Sequence, residues 1–263
     1  MSFEIRLRGK QTFIDVEYEE GLGIYGQDFW TLINRDAYES ETFDFIQRTF
    51  IPGAFFFDIG AATGCMSIYA AQLGYKVVAL EPQHSVFEAL TRNIALNTEL
   101  HENVEAIHAL VVNSETQGGK EISEFFTSGA SGPLEGLSAS VKKISMRDLF
   151  HNVNSDYRTV FKVDIEGAEF NLLRDIQLLS DLKAKNSIMY LSLHPGFLNP
   201  MRSHSKFARL VWLAKATQEV ADLYFRLRRY SLIKNNKGTV ELNLVGILRH
   251  LHRDSRDFQI NFQ

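Results

Sequence analysis

The sequence predicts an α/β protein built on a doubly wound, mainly parallel sheet. Two observations predict it. Apolar runs of strand length recur along the chain, at residues 54–59, 76–81, 103–112, 159–165 and 187–193. Segments with helical spacing of apolar residues alternate with them, at residues 40–50, 66–74, 85–97, 167–179 and 203–229. Strands that alternate with helices form parallel sheets with helices on both faces, and strands buried on both faces lack polar alternation.

The remaining elements are justified by shorter patterns. Residues 3–20 alternate apolar and polar on both sides of Gly9-Lys10, which predicts a β-hairpin. Ser40 is the expected N-cap of the helix over 40–50, and Gly74 is expected to end the helix over 66–74. Residues 230–242 predict a strand pair turned at Asn-Asn-Lys-Gly, and residues 258–263 a last strand.

The expected organisation is one compact domain. Residues 1–50 form a hairpin and helix extension packed on a core of residues 51–263. Residues 113–136 are rich in Gly and Ser and have poor periodicity, which predicts a loop or short-stranded excursion. We expect this excursion, with Phe125 and Phe126, and the helix near 200–230 to shape a substrate pocket.

Composition excludes several classes of protein. The net charge of −4 disfavours a protein that coats nucleic acid or anionic lipid. Cys65 is the only cysteine, so there is no internal disulfide framework, and a reducing compartment is expected. The N-terminus has no apolar signal region and no run reaches the roughly 20 apolar residues of a membrane span. These features predict a cytoplasmic protein. Its oligomeric state is not predicted.

The stretch FFFDIGAATG, residues 55–64, predicts a cofactor loop at the end of the first core strand. Its glycines follow Gly-x-x-x-Gly, whereas a dinucleotide site needs Gly-x-Gly-x-x-Gly. Asp58 would repel a pyrophosphate and attract a cation. S-adenosylmethionine carries an ammonium and a sulfonium and no phosphate, so it fits this loop. Glu81 ends the next strand, 21 residues after Gly60, where an acid can accept both hydroxyls of a ribose.

Three segments carry a resemblance to a known family. The stretches FDIGAATG, EPQHSVFEALTRNIALN and VFKVDIEGAEFNLL, followed by a strand and His-Pro, resemble the FkbM family of class I methyltransferases over about residues 38–197. The resemblance implies a Rossmann-like fold with a seven-stranded sheet, S-adenosylmethionine as cofactor, and O-methylation of sugar or secondary-metabolite hydroxyls. It places the cofactor on the matched positions Asp58, Gly60, Ala61, Gly64, Glu81 and Pro82. The family often has Glu before His-Pro, where this chain has Leu193, so any role of that Glu has no counterpart here.

The catalytic candidates are acids and a histidine at strand ends. An alcohol must lose its proton as it attacks a methyl group, so a base beside it helps. Asp164 ends the fourth core strand and His194 the fifth, and both are candidate bases. Glu166 is expected to assist catalysis by orienting the substrate or the methionine ammonium. Glu169 is expected to complement a helix N-terminus. A metal site of Asp164, Glu166 and His194 is chemically possible, but the spacing does not demand it, and no metal is predicted.

The favoured function is therefore an S-adenosylmethionine-dependent O-methyltransferase with a small-molecule or carbohydrate acceptor. Three alternatives stay open. An N-methyltransferase on a small molecule would share the cofactor half. A non-catalytic nucleotide-binding scaffold would tolerate loss of the cofactor acids, yet they are present. A NAD-dependent oxidoreductase would have Gly-x-Gly-x-x-Gly and no acid at residue 58.

Overall fold

A computed structural model describes residues 2–22, 26–114, 141–151, 158–165, 167–194, 206–251 and 257–263. Two predictions fall outside these residues. They concern Glu166 and nearly all of the 113–136 excursion, with Phe125 and Phe126.

Strands and helices alternate through most of the described chain. The strands are β1 (Phe3–Leu7), β2 (Lys10–Ile14), β3 (Phe55–Ile59), β4 (Lys76–Glu81), β5 (Val104–Val112), β6 (Lys142–Ser145), β7 (Thr159–Val163), β8 (Ile188–Ser192), β9 (Leu232–Asn235) and β10 (Asp257–Asn261). The α-helices are α1 (Val16–Leu22), α2 (Gln27–Asn34), α3 (Ser40–Thr49), α4 (Cys65–Leu73), α5 (His84–Leu96), α6 (Met146–His151), α7 (Glu169–Leu172), α8 (Ile176–Ala184), α9 (Lys206–Leu227) and α10 (Leu244–Leu251). A 3₁₀ turn covers Thr98–Leu100.

The central sheet confirms the predicted α/β class. Among the described residues it has eight strands, one more than expected, and the added strand is β6. β4 pairs in parallel with β3 on one side and β5 on the other. β10 runs antiparallel to both β8 and β9. The sheet is mainly parallel, and β10 runs opposite to both of its neighbours.

Two compact units divide the described chain. Unit 1 contains residues 2–110, 141–142 and 158–162, and unit 2 contains residues 111–114, 143–151 and 163–263. Strands that begin in unit 1 lie in the order β6-β5-β4-β3-β7, and those of unit 2 in the order β8-β10-β9. The predicted boundary at residue 50 stays a prediction.

In unit 1, the N-terminal hairpin β1–β2 packs against helices α2, α4 and α5. Asn93 of α5 is a polar link to the residues that follow the hairpin. Its amide donates to Glu19 Oε1 at 2.8 Å and to the Thr63 carbonyl at 2.9 Å, and its oxygen accepts the Asp15 N–H at 2.9 Å. Glu19 is fully buried and also accepts the Trp30 indole N–H at 2.6 Å. Burial raises the pKa of Glu19.

In unit 2, helices α9 and α10 cover strands β8, β9 and β10. Their facing side chains form an apolar core that includes Leu191, Val220, Leu227, Ile233 and Phe258. No helix among the described residues is long and apolar enough to cross a membrane.

The sequence patterns misplaced several local elements. Residues 16–22 form α1 instead of continuing the hairpin, because β2 ends at Ile14. Glu39 rather than Ser40 precedes α3 as its cap. The helix predicted over 167–179 is two helices, since Asp175 caps α8 by accepting the Leu178 N–H at 2.9 Å.

The C-terminal prediction of a strand pair is also only half right. Strand β9 forms, but residues beyond the Asn-Asn-Lys-Gly turn contribute a single bridge from Glu241 to Lys234. The chain then enters α10, which the sequence analysis did not predict. The short elements α2, β6 and α6 were not predicted either.

Candidate active site

The loop of residues 58–64, called here the cofactor loop, joins β3 to α4 in unit 1. Three of its residues have the left-handed backbone, with φ of 83° at Gly60, 49° at Ala62 and 92° at Gly64. A Cβ at Gly64 would lie 2.5 Å from Leu90 Cδ1 of α5. Gly64 is therefore required both by its backbone conformation and by the close approach of α5.

The loop amides are bonded within the protein. The N–H groups of Gly60 and Ala61 both donate to the Leu80 carbonyl, at 3.0 and 2.9 Å. The Ala62 N–H donates to Glu81 Oε2 at 3.0 Å. A pyrophosphate site would need such N–H groups to point at the ligand. This bonding pattern fits a cofactor without phosphate better than a dinucleotide.

Asp58 has a neighbourhood that the sequence analysis did not anticipate. Its side chain is fully buried, and Oδ2 accepts the Ser67 hydroxyl at 2.7 Å. The ammonium of Lys162, from β7, lies 3.6 Å from Asp58 Oδ1 and donates to the Gly60 carbonyl at 3.3 Å. The negative charge is thus balanced inside the protein, and direct attraction of a cationic cofactor by Asp58 stays a prediction.

Glu81 lies where the ribose prediction needs an acid, at the end of β4. Its oxygens accept the N–H groups of Ala62 and Gln83, at 3.0 and 2.9 Å. Burial nevertheless raises the pKa of Glu81 to about 7, with the two hydrogen bonds and Lys162 acting in the opposite direction. A carboxylate offers about four lone-pair directions, so about two are left for ribose hydroxyls.

The neighbouring Pro82 contributes its carbonyl. His108 Nε2 lies 3.0 Å from this oxygen and donates to it. The His108 ring also stacks on Phe87, with centroids 5.0 Å apart. The carbonyl of Pro82 is therefore already engaged by a protein group, and its cofactor contact stays a prediction.

Unit 2 brings together three side chains, called here the acid–histidine cluster: Asp164, Glu169 and His194. His194 Nε2 lies 3.5 Å from Asp164 Oδ1, and His194 Nδ1 lies 2.9 Å from Glu169 Oε1. The side chains of His194 and Asp164 are 21% and 24% exposed, while that of Glu169 is fully buried. The cluster thus presents a carboxylate and one imidazole nitrogen to solvent and keeps its second carboxylate inside.

A third acid adds negative charge beside the cluster. Burial raises the pKa of Asp257, and Asp164 raises it further, whereas Ser192 and His194 lower it. The Ser192 hydroxyl donates to Asp257 Oδ1 at 2.7 Å. The surroundings of His194 are therefore acid-rich, which favours neutral or cationic ligands over anionic ones.

The side chains of the acid–histidine cluster could also bind a metal cation. Ligand atoms of Asp164, Glu169 and His194 all lie within 4.8 Å of one another. Glu169, however, already accepts hydrogen bonds at both oxygens. Within the described part of the chain, the cluster then offers a cation Asp164 and His194 Nε2, and catalytic zinc sites usually have three protein ligands. The expectation of no metal stays a prediction.

The structure therefore groups most of the predicted residues into two sets. The predicted cofactor residues Asp58, Gly60, Ala61 and Gly64 lie near Glu81 in unit 1. The two predicted bases, Asp164 and His194, lie side by side in unit 2. Sequence analysis missed Lys162 and the contact of Glu169 with His194. Lys162 carried a signal, since it is the only charged residue in the strand TVFKV.

Several solved methyltransferases of low identity are similar to this chain in fold. Precorrin-6y C5,15-methyltransferase from Geobacter metallireducens is 12% identical, with 74% of this chain and 71% of that one covered and a TM-score of 0.36. Ribosomal protein L11 methylase from Lactobacillus delbrueckii subsp. bulgaricus is 14% identical, with 85% and 76% covered and a TM-score of 0.40. An rRNA methylase from Streptococcus thermophilus is 13% identical, with 84% and 95% covered and a TM-score of 0.38.

Sequence comparison is more specific than these structural likenesses. No curated protein matches the chain. The family model described as "Methyltransferase FkbM domain" matches residues 58–219, a range that begins at the cofactor loop and includes the acid–histidine cluster. The chain belongs to the FkbM methyltransferase-domain family, and this membership implies S-adenosylmethionine as its cofactor.

Proposed function

We propose that the protein is an O-methyltransferase that acts on a hydroxyl of a sugar, a glycan or a secondary metabolite. The observation that carries the proposal is the contact between His194 and Asp164, at 3.5 Å and with both side chains partly exposed. Such a pair can take a proton from a hydroxyl and stabilise the imidazolium that results. An amine nucleophile, which attacks through its own lone pair, has less need of this base.

The residues of unit 1 are proposed to hold the cofactor. Glu81 would accept the ribose hydroxyls, with Pro82 beside it, and the loop of Gly60, Ala61 and Gly64 would allow close backbone approach to the methionine part. Asp58 would support this loop from inside through Lys162 and Ser67. The bound cofactor supplies a methyl group on a sulfonium, ready for in-line displacement.

The acid-rich surroundings narrow the acceptor class. Asp164, Glu169 and Asp257 lie around His194, so a phosphate group next to the reacting hydroxyl would be repelled. We therefore propose a neutral polyhydroxylated acceptor. Glu166 is proposed to orient the acceptor.

Single-turnover methyl transfer tests the proposal. The assay uses saturating S-adenosylmethionine, a panel of neutral sugars, phosphorylated sugars and amines, and S-adenosylhomocysteine release as readout. Asp164→Asn and His194→Ala should slow transfer by up to about 10²–10⁴-fold, the contribution of a general base, with cofactor affinity unchanged. Asp222→Asn, an exposed acid-to-amide change on α9, is the matched control and should keep full rate.

Two results would contradict the proposal. Full rate in both Asp164→Asn and His194→Ala would remove these residues from catalysis. Transfer to amines and not to hydroxyls would indicate N-methylation.

A cytoplasmic location is also proposed. Its support is the single cysteine, Cys65, a free thiol that is buried and whose pKa is raised by burial. The test is a fused reporter domain, chosen because the reporter is active only in a reducing compartment.

A further inference from the structure

Glu169 has an unusual set of hydrogen-bond donors for a helix-terminal acid. Oε1 accepts the Ile165 N–H at 3.1 Å, and Oε2 accepts the Gly167 N–H at 2.8 Å. His194 Nδ1 lies 2.9 Å from Oε1. Helix α7 has only four residues, so interaction with its dipole is a weak reason to bury a carboxylate completely.

The hydrogen-bond donors around Glu169 favour its ionised form. A buried carboxylate is costly unless several hydrogen bonds compensate it. Both oxygens of Glu169 face backbone N–H groups, which can only donate, so the ionised form satisfies all its neighbours. Its position is set by the backbone of the turn between β7 and α7 and not by a flexible partner.

The ionised carboxylate of Glu169 in turn determines the tautomer of His194. An ionised carboxylate can only accept, so the proton of the neutral imidazole must be on Nδ1. The lone pair is then on Nε2, the nitrogen that faces Asp164 at 3.5 Å in the partly exposed part of the cluster. Nδ1 is thereby bound to Glu169, and Nε2 carries the lone pair that can accept a proton.

We propose that Glu169 is a positioning residue that holds His194 in the Nδ1–H tautomer and presents Nε2 as the proton acceptor for the substrate hydroxyl. This inference rests on the proposed function and states how the proposed base, His194, is held in the tautomer that can accept a proton. As the hydroxyl oxygen bonds to the methyl carbon, the carbon–sulfur bond breaks with its electron pair going to sulfur. The hydroxyl proton passes to Nε2, and Asp164 stabilises the imidazolium.

The test is nitrogen NMR of the full-length protein labelled at histidine, without ligand. The His194 signal is assigned by its loss in His194→Asn. We expect the Nδ1–H tautomer at alkaline pH. An Nε2–H tautomer in the parent protein overturns the proposal, and this measurement needs no variant of Glu169.

Glu169→Gln gives the second arm. Among the residues that the structure describes, the acids around His194 are Asp164, Glu169 and Asp257, and of these Glu169 alone changes in this variant. Loss of the buried carboxylate should lower the pKa of His194 and mix its tautomers. Glu219→Gln, an acid in the same unit bonded to Arg174, is the matched control and should leave His194 unchanged. An unchanged His194 in Glu169→Gln overturns the proposal.

Kinetics separate this inference from the function on which it rests. With a working acceptor, Glu169→Gln should slow transfer by about tenfold or more, and the lower limb of its pH–rate profile should shift to lower pH. If no hydroxyl acceptor is methylated by the parent, the proposed function fails, while the tautomer still decides whether Glu169 positions His194. Activity that requires Mg²⁺ or Zn²⁺, with a metal-dependent shift of Nε2, would overturn the proton-acceptor role.

Discussion

Two buried acids, Asp58 in unit 1 and Glu169 in unit 2, are stabilised in different ways. Asp58 has a serine hydroxyl at 2.7 Å and a lysine ammonium at 3.6 Å. Glu169 has two backbone N–H groups and an imidazole nitrogen at 2.9 Å. Both side chains are withdrawn from water, so the difference lies in the partners alone.

The partners decide what each acid can do. An ammonium can only donate hydrogen bonds, so the contact between Lys162 and Asp58 is a structural link between two buried side chains. An imidazole has a second nitrogen that gains or loses a proton near neutral pH. A buried carboxylate next to lysine thus supports a loop, whereas one next to histidine prepares a base.

Removing the ammonium group of Lys162 should produce the largest loss of unfolding free energy. Lys162→Met leaves Asp58 buried with an uncompensated charge, which typically costs about 3–5 kcal/mol of unfolding free energy. Denaturant unfolding measures this loss. Lys142→Met, at an exposed position of β6, is the matched control and should change stability by no more than about 0.5 kcal/mol.

A double variant shows whether the pair acts as a unit. Asp58→Asn combined with Lys162→Met should be more stable than the sum of the two single losses predicts, because neither charge is then left alone. Simple additivity would show that Asp58 and Lys162 do not stabilise each other.

Glu81 provides a third kind of buried acid, one whose two oxygens accept backbone N–H groups, from Ala62 and Gln83. Its folded-state pKa of about 7 lies above the ordinary value of 4.5, so the folded protein holds the proton more tightly than the unfolded chain. Its contribution to stability is therefore present below about pH 4.5 and is lost as pH rises to about 7, on the order of 3 kcal/mol in total. Glu81→Gln should remove this pH dependence from the unfolding free energy.

The measurement compares parent and variant from pH 5 to 8. Glu88→Gln, at an exposed acid of α5, serves as control because the Tyr18 hydroxyl lowers the pKa of Glu88 from 4.5, which keeps its titration below this pH range. Parallel pH curves for the parent and Glu81→Gln would contradict the raised pKa of Glu81.

The smallest loss of unfolding free energy should come from removing the hydroxyl of Ser67, the neutral partner of Asp58. Ser67→Ala removes one hydrogen bond to a charged group and should cost about 1.5–3 kcal/mol, with Lys162 still in place. Thermal or denaturant unfolding provides the value. A loss as large as that of Lys162→Met would show that the hydroxyl, and not the ammonium, is the main support of Asp58.

The sequence predicted the sheet strands well because buried strands leave a continuous apolar run. The cofactor loop was predictable for a similar reason, since its glycines and acids lie within one short stretch. The break at Asp175 depends on a cap and left no mark in the apolar spacing. Helix α10 did carry a signal, with apolar residues at helical spacing at Leu244, Ile247 and Leu248, but the segment is short and the signal was overlooked. The contact of Glu169 with His194 joins residues 25 positions apart, and no local pattern encodes it.

The hydrogen bonds of Asn93 have a consequence for where this protein can be shortened. The family match begins at residue 58, yet Asn93 uses Asp15 and Glu19 as partners and holds the Thr63 carbonyl of the cofactor loop with the same amide that binds Glu19. A gene fragment cut to the matched range would lose both N-terminal partners of Asn93. The unit to clone, express or transplant therefore includes Asp15 and helix α1, even though the family signature does not.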